Sequence, residues 1–474
     1  MTAAPRALTV REVAACVGGQ LLAGGPETVV RGAAIDSRTI SSGMLFVAMG
    51  GTRTDGHRFA GEAFRRGAAA ALVAFLPPDV PAGAALVQVP DTLRAFQRLA
   101  REVRDRQRLR VVGITGSVGK TSTKEMAAAV AARAFRTARS PETWNTEIGV
   151  PLVLTNIPED REVAVLELAM RGPGQIRDLV EICGPEIGVV TNVGESHLDF
   201  FPSREALAAA KGELLEGLPP AGAAIVNADD PLVAALATRT RARILSFGLE
   251  RGDVRAAEIR ARSGRGCTFV LRLPAGEAEV RLSLPGRHSV LNALAAAGVG
   301  AALGLGAKAI ADGLADARPL AMRLELLRAA GITILNDVYN SSPQSVAAAL
   351  QVMDEIEGAP RVAVLGDMKE LGTGSAEAHR RVGREVAGRR LDLVIAFGPL
   401  AAHVAEGARD AGGVRVMHSE DPDEVLAILR RELAPGSVIL LKGSRAMAME
   451  RITAALAQGT PADAAGKEKA AWRL

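Results

Sequence analysis

Aromatic side chains are scarce in this 474-residue sequence, at 3% of the residues, and Tyr339 is its single tyrosine. The formal net charge is only +4, and the basic residues are spread along the chain. Proteins that bind nucleic acids usually concentrate basic residues on one face and interleave aromatic side chains that stack on bases. The composition therefore predicts no nucleic-acid partner.

Cysteine is also rare, because the chain contains only Cys16, Cys183 and Cys267, which lie far apart. An odd number of widely spaced cysteines argues against a disulfide framework and against a zinc knuckle. It is typical of proteins from a reducing compartment. We therefore expect a cytoplasmic protein without structural disulfides.

Long runs of large apolar residues are missing as well. The N-terminal stretch MTAAPRALTVREVAACVGG has no apolar core of signal-peptide length. The most membrane-like segment, VLNALAAAGVGAALGLGA from Val290, consists mostly of Ala and Gly, which favour transfer into lipid only weakly. We expect a pair of well-packed helices there and no membrane span.

Lysine is rare beside abundant arginine. A GC-rich genome would explain a general preference for arginine codons. A compact amine also performs chemistry that a planar guanidinium does not, so lysine should persist where that chemistry is needed. The eight lysines are Lys120, Lys124, Lys211, Lys308, Lys369, Lys442, Lys467 and Lys469.

Hydrophobic periodicity divides the chain into three α/β units and a tail. Residues 1–107 mix short strands with helices. Over 108–316, buried strand candidates alternate with helix-length segments, which favours a parallel sheet covered by helices on both faces. A small antiparallel addition is predicted between Glu258 and Leu284. A linker near Asp316 leads to a third unit over 317–456, and the polar, Ala-rich tail 457–474 is expected to fray.

The strongest local signal is VVGITGSVGKTSTKEM, a strand that runs into a glycine loop and then a helix near Lys120. Such a loop points backbone N–H groups inward and the helix dipole adds positive potential, so the pair binds phosphates. Lys120 would reach the β- and γ-phosphates, and the Thr121 hydroxyl would ligate Mg²⁺. The usual first glycine is Ile114 here, with Gly113 and Gly116 nearby. The strand–loop–helix context predicts an ATP or GTP site.

GITGSVGKTS resembles the ATP loop of the Mur ligase family, a superfamily that includes folylpolyglutamate synthetase. Ten further segments match motifs of this family in the family's order, so the resemblance covers nearly the whole chain. It implies an N-terminal α/β domain for a UDP-linked substrate, a central parallel-sheet P-loop ATPase domain and a C-terminal Rossmann-like α/β domain. The segments are DSRT (from Asp36), WNTEIGVP (Trp144), LELAMRGPGQI (Leu166), TNVGESHLDFF (Thr191), AAAKGELLEGL (Ala208), NADD (Asn227), PGRHSVLNALAA (Pro285), NDVYNSSPQS (Asn336), LGDMKELG (Leu365) and LKGSRAMAMER (Leu441).

The resemblance implies an ATP site built by two domains. Asn292 would contact the adenine, and Arg323 would reach the γ-phosphate from the third domain. Asp337, Tyr339 and Asn340 would face the nucleotide from the same side, and ordinary loop packing is the alternative for each. The loop residues implied to bind ATP are Thr115, Gly116, Ser117, Val118, Gly119, Lys120, Thr121 and Ser122.

The resemblance also implies two Mg²⁺ ions. Thr121, Glu167 and His197 would be ligands or orienting groups, and a carboxylate such as Glu167 suits this hard ion. On pattern alone, AAAKGELLEGL is an amphipathic helix with an exposed Lys211. In the family this lysine carries a carbamate formed with CO₂, which bridges to Mg²⁺. The residues implied to be catalytic are Lys120, Glu167, His197, Lys211 and Arg323.

Substrate contacts follow from the resemblance in the same way. Asn145 and Thr146 would meet the muramoyl-peptide part of the acyl substrate, and Thr146 replaces a frequent second Asn. YNSSP stands where the family commonly has Y-N-A-N-P. The residues implied to contact uridine diphosphate are Ser37, Arg38 and the backbone around Gly50 and Gly51.

The third-domain motifs LGDMKELG and YNSSP resemble the family branch that adds D-alanyl-D-alanine to UDP-N-acetylmuramoyl tripeptide. The resemblance implies a monomeric, ATP-dependent carboxylate–amine ligase that acts through an acyl phosphate and makes the pentapeptide precursor of peptidoglycan. The D-N-P-R stretch of the diaminopimelate-adding branch is missing. Folylpolyglutamate synthetase is an alternative, although that branch typically begins near its phosphate loop. A non-catalytic nucleotide-binding regulator would not need Glu167, His197 and Lys211.

Overall fold

The first unit is a small parallel sheet with one antiparallel edge strand, flanked by helices. The computed structural model describes residues 4–51, 54–141, 144–195 and 198–458. The five-stranded sheet has the order β2-β7-β6-β5-β4, and β1 pairs with β3. Helix α1 begins with a capping box formed by Thr9 and Glu12. The elements are β1 (Ala7–Thr9), α1 (Val10–Val17), β2 (Gln20–Ala23), β3 (Val29–Arg31), β4 (Ala33–Ala34), β5 (Leu45–Val47), α2 (Ala60–Arg65), β6 (Ala70–Val73), β7 (Ala85–Gln88) and α3 (Thr92–Arg106).

The second unit contains a nine-stranded sheet with the order β16-β15-β14-β13-β12-β11-β8-β10-β9. Seven strands are parallel, and the hairpins to β15 and β16 form the predicted antiparallel addition. Its elements are β8 (Arg110–Thr115), α4 (Lys120–Ala131), β9 (Thr137–Arg139), α5 (Gly149–Asn156), β10 (Val163–Glu167), α6 (Gln175–Cys183), β11 (Ile187–Val190), α7 (Arg204–Glu216), β12 (Ala223–Asn227), α8 (Pro231–Ala235), β13 (Arg243–Gly248), β14 (Val254–Ala261), β15 (Cys267–Leu273), β16 (Gly276–Leu282), α9 (Arg287–Ala302) and α10 (Ala307–Asp316).

Strand β8 is the topological switch point of this sheet. Strand β10 lies on one side of β8 and β11 on the other, so the chain leaves β8 in both directions. A crevice opens at the carboxyl ends of parallel strands where the order reverses. Helix α4 begins in this crevice at Lys120, and Glu167, the last residue of β10, is in register with Ile114. The fold therefore brings the glycine loop and Glu167 together.

Helices α9 and α10 are the helix pair predicted from the Ala- and Gly-rich segment. Most of α9 from Val290 to Gly300 is buried against α4 and the sheet, where small side chains allow close approach. Among the residues described here, no helix combines the length and apolar character that a membrane span requires.

The third unit is a six-stranded sheet with the order β17-β18-β22-β19-β20-β21. All its strands are parallel except the edge strand β17, which forms a hairpin with β18. Its elements are β17 (Glu325–Ala329), β18 (Ile332–Asp337), α11 (Pro343–Asp354), β19 (Arg361–Gly366), α12 (Ser375–Ala387), β20 (Leu393–Phe397), α13 (Ala402–Ala411), β21 (Arg415–Ser419), α14 (Pro422–Glu432), β22 (Val438–Lys442) and α15 (Glu450–Ala457).

The first unit is attached to the second through Asn156, the last residue of α5. Its side-chain amide accepts from Ala33 N at 3.2 Å and donates to Ala33 O at 2.8 Å, as a neighbouring strand would. A side chain at Gly32, whose φ is +72°, would overlap the Asn156 amide, so the close approach needs glycine. Asn156 thus pairs with the exposed edge of β4.

Candidate active site

A cavity of about 630 Å³ lies between the second and third units. The glycine loop, the segment 145–147 and the end of β10 line one side, together with the start of α9. The turn at Arg323, the end of β18 and the end of β22 line the other side. Polar side chains therefore converge on this cavity from two units, as is usual for binding sites.

The glycine loop has the shape of a phosphate cradle. Gly116 and Gly119 have φ values of +150° and +83°, which side chains rarely adopt. A Cβ at Gly116 would overlap Thr191, and one at Gly119 would overlap the Asn292 amide. Ser117 through Ser122 line the cavity, whereas Thr115 and Gly116 shape the loop from behind. The loop backbone is thus open to a ligand from the cavity side.

Lys120 folds back over the loop. Its Nζ donates to Gly116 O at 2.8 Å and to Ser117 O at 3.1 Å. Burial lowers the pKa of Lys120, Arg323 lowers it further and Glu167 opposes them. A polyanion would reverse this effect because it favours the charged amine.

Thr121, Glu167 and Asn145 form a hydrogen-bonded chain at the base of the cavity. The Thr121 hydroxyl donates to Glu167 Oε2 at 2.8 Å, and Asn145 Nδ2 donates to Glu167 Oε1 at 2.9 Å. Arg323 Nη2 donates to Thr121 Oγ1 at 3.1 Å, across the boundary between the two units. Sequence reasoning had assigned these four residues to metal, substrate and phosphate, and the structure brings them together.

Lys211 is 1% exposed, so its pattern-based interpretation as an exposed lysine is wrong. Both faces of α7 around it are covered, because the helix packs under the crevice rather than on the surface. Burial lowers the pKa of Lys211 well below its usual value, and the neighbouring charge of Lys120 lowers it further. Burial therefore favours the neutral amine of Lys211 over its charged form.

His197 lies outside the described residues. Within those residues, no group of three or more His, Cys, Asp or Glu side chains could hold a metal ion. Thr121 and Glu167 nevertheless offer two oxygen atoms beside the phosphate loop. Mg²⁺ commonly takes one or two protein oxygens and completes its shell with phosphates and water. These two residues fit the first Mg²⁺ implied by the sequence.

The residues that the resemblance implies for the nucleotide come from both the second and the third unit. Asn292, Arg323, Asp337, Tyr339 and Asn340 all line the cavity. The Arg323 guanidinium stacks on the Tyr339 ring, 3.9 Å from its centroid.

His288 and Lys442 are among the cavity residues that sequence reasoning missed. His288 lies one helical turn before Asn292 on the same face of α9, and Lys442 ends β22. Burial lowers the pKa of His288 to about 4, and its Nδ1 has no partner among the described residues. The i, i+4 spacing from Asn292 was the signal that could have identified His288.

The residues implied to contact uridine diphosphate lie in the first unit and do not line this cavity. Ser37 donates to Glu62 Oε2 at 3.0 Å, and the Arg38 guanidinium lies on Asp36 at 2.6 Å. Asn145 and Thr146, by contrast, line the cavity. The two halves of the implied acyl-substrate site are therefore in different units.

Models of three families match successive parts of the chain. Residues 29–104 match the Mur ligase family catalytic domain, residues 114–300 match the Mur ligase middle domain, and residues 322–445 match the Mur ligase glutamate ligase domain.

Solved structures of similar chains have the same fold. MurF from Acinetobacter baumannii superposes with a TM-score of 0.88 at 32% identity, covering 96% of this chain and 100% of that chain. MurF ligase from Thermotoga maritima, solved in complex with ADP, gives a TM-score of 0.80 at 30% identity and covers 90% of this chain and 97% of that one.

Full-length relatives are also similar in sequence. The UDP-N-acetylmuramoyl-tripeptide–D-alanyl-D-alanine ligase of Bacillus subtilis is 36% identical over 450 residues, which cover 94% of this chain and 97% of the relative. The ligase of the same name from Escherichia coli is 36% identical over 456 residues, covering 95% of this chain and 98% of the relative. The chain therefore belongs to the Mur ligase family.

Proposed function

We propose that the chain is an ATP-dependent ligase that joins D-alanyl-D-alanine to the terminal carboxylate of UDP-N-acetylmuramoyl tripeptide. The products are the UDP-muramoyl-pentapeptide precursor of peptidoglycan, ADP and phosphate. The convergence of the glycine loop, Glu167 and Arg323 on one cavity carries this proposal. Relatives that bear the corresponding name and cover nearly the whole chain support the choice of substrates.

ATP binding is supported by the shape of the loop and by the ADP complex of the Thermotoga maritima relative. In this proposal the loop from Thr115 to Ser122 holds the phosphates. Asn292 meets the adenine, and Arg323 meets the γ-phosphate. Asp337, Tyr339 and Asn340 face the nucleotide from the third unit.

The chemistry requires two anions to meet. The tripeptide carboxylate attacks the γ-phosphate to give an acyl phosphate and ADP, and the dipeptide amine then attacks the acyl carbon and expels phosphate. Lys120 and Arg323 carry positive charge at the phosphates, and fixed charges of this kind stabilise a transferring phosphoryl group. Because the second and third units both contribute residues to the site, the approach of these two units to each other completes the site and excludes water.

Mg²⁺ would neutralise phosphate charge when bound at Thr121 and Glu167. For a second ion we propose His197 and Lys211. Burial favours the neutral amine of Lys211, which is the form that reacts with CO₂, and a carbamate on it would supply an oxygen ligand for the metal. An arginine could not replace it, since guanidinium stays protonated.

The first unit is proposed to hold the uridine diphosphate through Ser37, Arg38 and the backbone around Gly50 and Gly51. Asn145 and Thr146 would meet the muramoyl peptide beside Glu167. The unit boundaries 1–107, 108–316 and 317–456 and the tail 457–474, of which 459–474 lie outside the described residues, remain predictions. A monomer in the cytoplasm is proposed as well.

The test is a phosphate-release assay with UDP-muramoyl tripeptide and ATP, offering D-alanyl-D-alanine against single amino acids. We expect one phosphate per pentapeptide and release only with the dipeptide. Glutamate-dependent release with a folate acceptor would instead identify a folylpolyglutamate synthetase. Nucleotide binding without phosphate release, whichever amine donor is offered, would indicate a non-catalytic regulator.

A further inference from the structure

Arg323 lies between two residues with left-handed backbone conformation. Met322 has φ +59° and Leu324 has φ +50°, and neither is glycine. This conformation brings Cβ close to the backbone carbonyl, so it is unfavourable for residues other than glycine. Strained residues of this kind persist only where the surroundings hold them, and they cluster at functional sites. Other groups in the third unit must therefore hold the turn 322–324 in this left-handed conformation.

Two carboxylates hold the backbone of this turn. Glu325 Oε2 accepts from Met322 N at 3.0 Å, and Asp337 Oδ1 accepts from Leu324 N at 3.2 Å. Glu325 Oε2 also accepts from Asn336 Nδ2 at 3.0 Å, across the β17–β18 pair in which the two residues are register partners. Each strained residue thus has its amide fixed by an acidic side chain of the hairpin.

Lys442 holds Asp337 in turn. Its side chain is 2% exposed, and Nζ lies 2.5 Å from Asp337 Oδ2 and 3.0 Å from Asn340 O. The two residues are register partners at the carboxyl ends of β22 and β18. A buried carboxylate without a partner cation would be costly, so Lys442 is the cation that pairs with Asp337 and fixes the position of its side chain.

The far end of the Arg323 side chain is fixed as well. The guanidinium stacks on Tyr339, and Tyr339 N donates to Met322 O at 3.2 Å. The backbone of the turn therefore restrains one end of the Arg323 side chain, and the Tyr339 ring restrains the other end. Such restraint reduces the conformational entropy that a flexible arginine loses when it meets an anion.

We propose that Glu325 and Lys442 are positioning residues that hold the strained turn 322–324 so that Arg323 points at the terminal phosphate of ATP. The inference deepens the proposed function and rests on it, because it takes ATP as the ligand of the cavity. Neither residue has to touch the nucleotide for this role. Glu325 does not line the cavity, so its loss should act through Arg323 alone.

The test compares the affinities of a non-hydrolysable ATP analogue, AMP-PNP, and of ADP, both with Mg²⁺, by titration calorimetry. Arg323→Ala should lower the affinity for AMP-PNP relative to ADP by about tenfold, as for loss of a charge-assisted contact. Glu325→Met should lower this ratio by a similar factor and leave ADP binding within about twofold of wild type. Glu325→Gln keeps an acceptor oxygen and should retain the wild-type ratio.

A double-mutant cycle separates positioning from other roles. In the Arg323→Ala background, Glu325→Met should not lower the ratio further. Lys442→Met should behave as Glu325→Met does, and Lys308→Met, an exposed lysine on α10, is the matched control. If Lys442→Met does not fold, the Glu325 variants decide the question.

Equal weakening of both nucleotides in Glu325→Met would show a general structural role and overturn the proposal. Additive losses in the double variant would do the same, because they indicate direct contact with the nucleotide. A wild-type protein that binds neither nucleotide would overturn both this inference and the proposed function. Normal nucleotide binding without D-alanyl-D-alanine-dependent phosphate release would contradict the proposed function only.

Discussion

Burial lowers the pKa of Lys211 and so favours the neutral amine that carbamate formation requires. We expect Lys211→Arg to lower the rate of phosphate release by about 100-fold or more, as for loss of a group that supports metal binding. The reason is that a guanidinium stays protonated and cannot form a carbamate. The measurement is phosphate release together with the midpoint of thermal unfolding.

Lys211→Met separates chemistry from packing, because it keeps a long unbranched side chain without charge. It should be as inactive as the arginine variant and should unfold at a similar temperature to wild type. Turnover in Lys211→Arg at the wild-type rate would refute the carbamate. Incorporation of ¹³C from labelled bicarbonate into wild type, but not into Lys211→Met, gives an independent check.

His288 predicts a pH dependence of stability. Burial is the main cause that lowers its pKa from 6.5 to about 4, Lys442 adds to it and Asp337 opposes it. Between these two values the unfolded chain binds a proton that the folded chain does not, so the free energy of unfolding falls as pH falls. The loss should be on the order of 3 kcal/mol and complete near pH 4.

Urea unfolding of wild type and His288→Gln at pH 7, 5.5 and 4 measures this effect. Carboxylates titrate over the same range in both proteins, so the difference between the two pH profiles isolates the histidine. We expect the variant to lose less stability on acidification. Parallel profiles would mean that the pKa of His288 in the folded protein does not differ from its pKa in the unfolded chain.

Several site residues could be predicted from short sequence patterns, and others could not. Lys120 and Thr121 follow from the glycine loop, whose backbone geometry is local. The burial of Lys211 depends on what covers the outer face of α7, and amphipathic periodicity in one helix does not encode that second layer. Lys442 reaches the cavity only because β22 inserts between β18 and β19, which is a long-range pairing.

Among the elements, the glycine loop offers the sharpest test of the nucleotide site. We expect Gly119→Ala to weaken Mg²⁺–ADP binding by at least about tenfold, because the φ of +83° and the overlap with Asn292 would displace the loop. Isothermal titration calorimetry with ADP measures the change.

Gly304→Ala is the matched control for the loop variant. Gly304 has a φ of +90°, but a Cβ there meets no atom within 4 Å. The control therefore carries the same backbone cost without an overlap at the cavity, and it should bind ADP as wild type does. Equal loss of affinity in both variants would mean that backbone strain alone, and not the shape of the cradle, causes the effect.

The strands missed in the second and third units follow a pattern as well. The sequence predicts strands at buried apolar runs, and β8, β10, β11, β12, β18, β19, β20 and β22 correspond to the runs VVGIT (from Val111), VAVLELA (Val163), IGVVTNV (Ile187), AAIVNA (Ala223), ITILNDV (Ile332), VAVLGDM (Val362), LVIAFG (Leu393) and VILLKG (Val438). Strands β9, β17 and β21 were missed because they lie at sheet edges, where polar side chains interrupt the run. Strand β13 was missed as well, since its N-terminal half is exposed. Edge position depends on pairing order, which is not a local property.

At the scale of the whole molecule, one charged contact between the second and third units is the pair Glu195 and Arg381. Arg381 Nη2 lies 2.5 Å from Glu195 Oε2, and both side chains are partly exposed. Exposed pairs contribute about 0.2–1 kcal/mol. We expect Glu195→Arg to lower kcat/KM for ATP by about threefold at low salt, since two like charges oppose the approach of the units.

Steady-state kinetics at low and high ionic strength measure this effect. The double variant Glu195→Arg/Arg381→Glu restores opposite charges and should recover most of the activity. The defect should also shrink in high salt because screening weakens exposed charges. A defect that survives both the charge swap and the salt would show that Glu195 acts in some other way.

The hydrogen bonds between the Asn156 amide and the backbone of Ala33 have a consequence for how the enzyme can move. They join β4 to α5 as if the helix end were one more strand, so the first two units should travel as one block. Fluorophores attached to these two units should keep a constant separation when nucleotide is added. A fluorophore on the third unit should report the whole change in distance.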